Sequence, residues 1–190
     1  MALSSPNRMI WCYFKALRRK VYDLTSLHDE VEQKEDVATC VFLAITVIEA
    51  FVNVFFRIVV SEQKFNGHEQ RVLNDLSRLK SLDYKVQNWP KDILGRSIDW
   101  TCGIGKEFMD LKALRNALMH FTSSHSKLEI NGIHIHGLSD TSIFDALSTE
   151  KAVTALTVAE GIIAEILRIR GYPEEEVKHG LHLWTGKVLC

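Results

Sequence analysis

A chain of 190 residues holds one domain with a substantial core and is too short for two ordinary ones. Its 23 Lys and Arg against 24 Asp and Glu leave a formal charge of −1, which excludes a protein held to nucleic acid by bulk charge, although a local basic patch is still allowed. At 46% hydrophobic and 25% charged the composition is globular, so wholesale disorder is excluded as well.

The first 20 residues carry an aromatic run followed by most of their positive charges. A secretory signal has the reverse order, so the expected location is the cytoplasm. Cys12, Cys40, Cys102 and Cys190 stand far apart in the chain, which leaves no CxxC redox site and no Cys-rich zinc knuckle. They read as reduced cytosolic thiols rather than as a disulfide framework.

The first helix is expected over residues 8–33, with Ile10, Phe14, Leu17, Val21, Leu24 and Val31 at helical spacing. Residues 37–60 form an apolar stretch long enough to span a bilayer. Glu49, Asn53 and Arg57 interrupt it at intervals of four, so a stripe of polar side chains runs along one side. A membrane span would carry a heavy penalty for the Glu and the Arg, and a central bundle helix facing a polar site fits better.

A third helix is expected over residues 68–82, with Val72, Leu76 and Leu79 on one side. Residues 83–105 read as irregular, with Trp89-Pro90, Gly95, Gly103 and Gly105 as breakers. A fourth helix runs over residues 106–121 on Leu111, Leu114, Leu118 and Phe121. Leu128, Ile130, Ile133 and Ile135 then alternate with polar neighbours about Asn131-Gly132, the pattern of two short strands and a tight turn. The last long helix covers residues 149–170 and is closed by Gly171 and Pro173. One short helix more fits the tail from 174 to 190.

The expected fold is therefore all-α: a four- to five-helix up-and-down bundle with a short β-hairpin insertion before the last long helix. It forms one domain over residues 1–190, with its core in 8–170 and an extension over 171–190.

The chemically informative segment is Leu111 to Phe121, LKALRNALMHF. At about 100° per residue, Asn116 and His120 fall opposite the core stripe and lie side by side, four residues apart. Arg115 flanks them on a side chain long enough to reach either edge. A polar trio on the outer face of a core helix meets solvent, a ligand or another chain, and periodicity by itself favours solvent.

Arg115-Asn116 followed by His120 resembles the signature of the HEPN superfamily (higher eukaryotes and prokaryotes nucleotide-binding domains). That signature is an Arg, a polar residue directly after it, and a His separated from the Arg by four to six residues; here the gap is four. Upstream, Glu49-Ala50-Phe51-Val52-Asn53 is similar to the Glu-X3-Asn helix of many HEPN proteins, and the order of the two helices fits. The likeness spans roughly residues 8–170 in layout, and its specific part is a handful of residues.

The resemblance implies a metal-independent endoribonuclease whose motifs meet across a homodimer interface. Two His120 residues would supply the base and the acid that cleavage by 2′-hydroxyl attack requires, at an ordinary pKa of about 6.5. Arg115 would hold the phosphate and the charge that develops on it, while Asn116 would orient the phosphate or the imidazole. No metal or other cofactor is expected. Glu49 and Asn53 read either as a supporting layer that orients Arg115 or His120, or as a buried pair satisfied by Arg57 and backbone.

Lys15, Arg18, Arg19 and Lys20 form a basic patch that reads as RNA-binding or as a solvated face. His125, His134 and His136 could be drawn as a metal site, but with no cysteine nearby and Glu129 across the turn, a surface hairpin is the better reading. Glu174, Glu175 and Glu176 mark a helix start.

Two functions follow. One is an RNA-cleaving homodimer in a defence or toxin-antitoxin role, restrained by an antitoxin partner protein. The other is a non-catalytic HEPN-like module that binds RNA, a nucleotide or a protein. A plain helical scaffold is the third and least informative reading.

Overall fold

The structure, a computed structural model, describes residues 6–26, 29–119, 128–130, 133–135 and 141–186. It begins with α1 (Arg8–Asp23), which buries Ile10, Phe14 and Leu17 at helical spacing. The helix does not continue to residue 33. A short 3-10 turn over Leu24–Ser26 follows, in which the hydroxyls of Thr25 and Ser26 donate to the carbonyls of Tyr22 and Asp23. Asp29, in extended conformation, then accepts a hydrogen bond from the Glu32 amide at 2.8 Å and caps a new helix. Glu30 and Glu32 complement the positive end of that helix. Val31, expected on the core stripe, is exposed in its first turn.

This new helix, α2 (Glu30–Val59), is the axis of the fold. Helices from both sides of the chain pack against it, and thirteen of its residues are buried. Its most apolar window is 56% buried inside the fold, the setting of a core helix.

The expected helix 68–82 is shorter, and the expected irregular segment 83–105 contains a helix. α3 (Glu69–Ser77) is followed by α4 (Leu82–Leu94), capped by the Ser81 hydroxyl on the Tyr84 amide and ended by Gly95 at φ 73°. Trp89-Pro90 does not break α4, because both residues are buried and the burial outweighs one lost backbone bond. The Trp89 indole donates to the Asp75 carboxylate at 3.0 Å and its ring leans on Phe56.

Next comes α5 (Gly103–Met119), which starts three residues before the expected position. Gly105 lets it start there: a Cβ at this position would lie 2.1 Å from the Asp99 carbonyl oxygen. The expected end of this helix at residue 121 lies outside the described residues.

Leu128–Ile130 and Ile133–Ile135 pair antiparallel, with Glu129 opposite His134. The residues that join them to each other and to the helices are outside the described ones, so the expected hairpin insertion is not shown as a unit. A single helical turn, α6 (Ser142–Asp145), was not expected.

The last long helix is α7 (Thr149–Arg170), closed by Gly171 at φ 98°. It runs antiparallel to α5. Gly161 meets Ile104, whereas Lys151 and Thr154 share a shallow cleft with Leu111 and Leu114. The tail forms α8 (Glu174–Thr185) with three acids in its first turn. Far from being an appendage, α8 puts Val177 and Trp184 into the core, and Trp184 sits edge-on to Phe51 at 5.1 Å. The architecture of the described residues is all-α around one continuous apolar core.

Candidate functional site

Three elements meet on one side of α2: the turn between α3 and α4, the start of α4, and the C-terminal half of α5. Between them lies a polar cleft of about 250 Å³ whose walls include Glu49, Lys80, Asp83, Lys112, Arg115 and Asn116. The segments that supply these residues are far apart in the sequence, and two ion pairs tie them together. Lys85 Nζ donates to Glu49 Oε1 at 3.0 Å and joins α4 to α2. Lys112 pairs with Asp83 and joins α5 to α4.

The Lys85–Glu49 pair is lopsided. The lysine side chain is 4% exposed and the glutamate 43%, so the cation is desolvated while the carboxylate reaches toward the cleft. The partner of Glu49 is thus Lys85 and not Arg57, which is exposed. Asn53, one turn further along α2, is not among the residues that line the cleft. Among the described residues, its buried side-chain oxygen has no hydrogen-bond partner.

Arg115 is half-buried and Asn116 exposed, and the Arg115 guanidinium donates to Asn116 Oδ1 at 3.1 Å. This local bond holds the guanidinium along the face that also carries Asn116. His120 lies outside the described residues, as do His125 and His136.

The charges of the cleft do not cancel. Among the described residues its two carboxylates, Glu49 and Asp83, are each matched by a lysine, Lys85 and Lys112. Lys80 and Arg115 remain, and among the described residues neither forms an ion pair with a carboxylate. A chain of net charge −1 therefore presents a locally cationic hollow, suited to an anion.

No known protein family, characterised protein or solved structure matches this chain. The chemistry of the site rests on its own residues.

The basic patch of α1 is on other surfaces, since α1 packs on α2, α7 and α8. Arg18 is tied into the fold, donating to Glu160 at 3.0 Å and to the Thr185 carbonyl at 2.6 Å. Lys20 pairs with Asp36 at 2.6 Å. Lys15 and Arg19 are exposed.

A larger cavity of about 570 Å³ lies near the C-terminal end of α2, with apolar walls from Phe55, Ile58, Leu167 and Leu183. None of the described candidate residues lines it.

Among the cysteines, Cys40 is fully buried and its thiol is pushed up to about 12, chiefly by that burial and further by Asp36. The Cys102 thiol is raised by its hydrogen bond to Asp99. Neither is an activated nucleophile.

Sequence reasoning found Glu49, Arg115 and Asn116 and missed Lys80, Asp83, Lys85 and Lys112. Three of the missed residues, Lys80, Asp83 and Lys85, cluster about Ser81, whose hydroxyl accepts from the Tyr84 amide three positions on as an N-cap; Lys112 joins them from α5 through its pair with Asp83. That cap was the available signal.

Proposed function

We propose that this chain is a metal-independent endoribonuclease of the HEPN kind, built as an up-and-down helical bundle. In this reading it works in the cytoplasm as a homodimer, in a defence or toxin-antitoxin role restrained by a partner protein. The observation that carries the reading is the shared cleft. Glu49 of the Glu-X3-Asn helix and Arg115-Asn116 of the Arg-X4-His helix line one solvent-open hollow with two unmatched cations.

The chemistry runs by in-line attack. A neutral His120 takes the proton of the ribose 2′-hydroxyl as its oxygen bonds to phosphorus. The bond from phosphorus to the 5′-oxygen breaks, and the protonated His120 of the partner subunit gives its proton to that leaving oxygen. The products are a 2′,3′-cyclic phosphate and a 5′-hydroxyl, with no net change in protons. Arg115 neutralises the charge that grows on the phosphate oxygens, and losing it costs about 3–4 kcal/mol of transition-state stabilisation by analogy with an oxyanion donor.

A non-catalytic RNA-binding module is the second reading, favoured by the near-neutral charge of the whole chain, because nucleases that grip long RNA are commonly more basic.

One experiment separates them. Purified parent protein, His120→Ala and Arg115→Ala are incubated with total RNA, with and without excess EDTA. The nuclease reading expects breakdown to cyclic-phosphate ends by the parent alone, undiminished by EDTA, with a bell-shaped pH profile. Equal cleavage by a His120→Ala preparation free of contaminating nuclease refutes the mechanism. An intact substrate with the parent protein supports the binding module.

A further inference from the structure

The turn between α3 and α4 holds a residue in an unexpected conformation. Leu79 has φ 51°, and no other described non-glycine residue has a positive φ. The backbone bonds from the Lys80 amide to the Asp75 carbonyl at 3.0 Å and from the Leu79 amide to the Leu76 carbonyl at 3.1 Å close α3. They form the Schellman arrangement, in which the left-handed position is ordinarily glycine. A leucine there is strained, and this one gains nothing from the core in return, because it is 87% exposed.

Leu79 lines the mouth of the polar cleft, and the next residue, Lys80, is one of its two unmatched cations. The lysine ammonium also lies 5.0 Å from the centre of the Tyr84 ring, which holds it at the turn. Arg115 brings the second cation from α5. An exposed apolar side chain beside two cations, in a hollow of about 250 Å³, matches a ligand with an anionic group and a flat apolar part. A nucleotide is such a ligand.

We propose that the Leu79–Lys80 turn is the outer wall of a seat for one nucleotide of single-stranded RNA, with Lys80 and Arg115 on the phosphate and Leu79 against the base. This rests on the ribonuclease reading for the identity of the polymer, and it adds two binding residues that the Arg-Asn-His motif does not contain. The strain at Leu79 then has a function: glycine would relieve it but would leave the base nothing to lie on.

The test measures binding and stability together. Fluorescence anisotropy with a short 5′-labelled single-stranded RNA is recorded in the His120→Ala background, where no cleavage competes. Lys80→Gln is expected to weaken binding about tenfold and to reduce the salt slope by about one. Lys80→Arg should restore most of the affinity. Leu79→Gly should weaken binding about fivefold while Tm stays the same or rises, a combination that a purely structural residue cannot give. Lys178→Gln, at an exposed position of α8, is the control for bulk charge and should bind like its parent.

Three results would overturn the seat: Lys80→Gln and Lys178→Gln with the same affinity, no RNA binding by the background protein, or Leu79→Gly turning a dimer into a monomer. The last would make Leu79 a contact with a second copy. The two readings can fail separately. A parent that binds RNA through Lys80 and Leu79 without cutting it removes the nuclease and keeps the seat. A double variant, Leu79→Gly with Lys80→Gln, that cuts at the parent's full rate does the opposite.

Discussion

Replacing Glu49 with alanine strands the Lys85 ammonium, whereas replacing Lys85 with methionine strands only a carboxylate that water already reaches. The side-chain exposures, 4% for Lys85 and 43% for Glu49, make the two deletions unequal. Breaking a fully buried pair costs about 3–5 kcal/mol, because one charge is left desolvated and alone. One end of this pair is half in solvent, so Glu49→Ala should cost less, about 2–3 kcal/mol. Lys85→Met exchanges a buried alkyl stem for another of similar size and frees Glu49 to be hydrated, so its cost should be about 1 kcal/mol or less. For a domain of this size, that corresponds to a loss of roughly 4–12 °C in Tm for Glu49→Ala and no more than about 4 °C for Lys85→Met. The double variant should recover most of the deficit of Glu49→Ala, since it removes the stranded cation. Urea denaturation of the four proteins, read as shifts in midpoint at constant slope, measures the coupling directly. Equal destabilisation by the two single changes, or a double variant no better than Glu49→Ala, would refute the argument from unequal burial.

Gly105→Ala should destabilise by about 2–3 kcal/mol, since the new methyl meets the Asp99 carbonyl oxygen at 2.1 Å, and backbone yields poorly. Gly161→Ala should cost clearly less, because its neighbour is the end of the Ile104 side chain; thermal melts of the two variants check the order. The raised thiol of Cys40 predicts a pH effect. The folded state keeps its proton up to about 12 while the unfolded thiol loses it near 8.5, so this stabilisation is complete below the unfolded value and fades as pH rises toward the folded one. Between pH 8 and 10.5 the parent should lose about 2–2.5 kcal/mol that Cys40→Ala does not lose. Under native conditions an alkylating reagent should modify the exposed Cys12 and spare Cys40.

How far the fold is legible in the sequence depends on which signal is local. α7 was readable to the residue, because its periodic core positions end at a glycine that takes a positive φ. The break between α1 and α2 was harder to see, since Leu24 and Val31 continue the spacing of the first helix. The break is made by Asp29 and by the Thr25 and Ser26 hydroxyls, polar groups that a count of apolar positions passes over. Pro90 misled in the opposite direction. It is a breaker by local rule, yet the positions around it, Val86, Trp89 and Ile93, are buried, and tertiary packing decides in favour of the helix.

The candidate site shows the same division more sharply. Arg115 and Asn116 could be read because they share one helix with fixed angular spacing, and Glu49 because it interrupts an apolar run. The opposite wall of the cleft, Leu79 to Lys85, is assembled by a Schellman closure, an N-cap and two ion pairs to helices distant in the chain. Period counting carries none of those relations. Lys85 is the plainest case: by composition it is a surface lysine, and only the approach of Glu49 from α2 lets it be buried. A site built between elements is therefore half visible from any one of them. The half supplied by one helix face announces itself, and the half supplied by a turn is found only when the turn is folded against it.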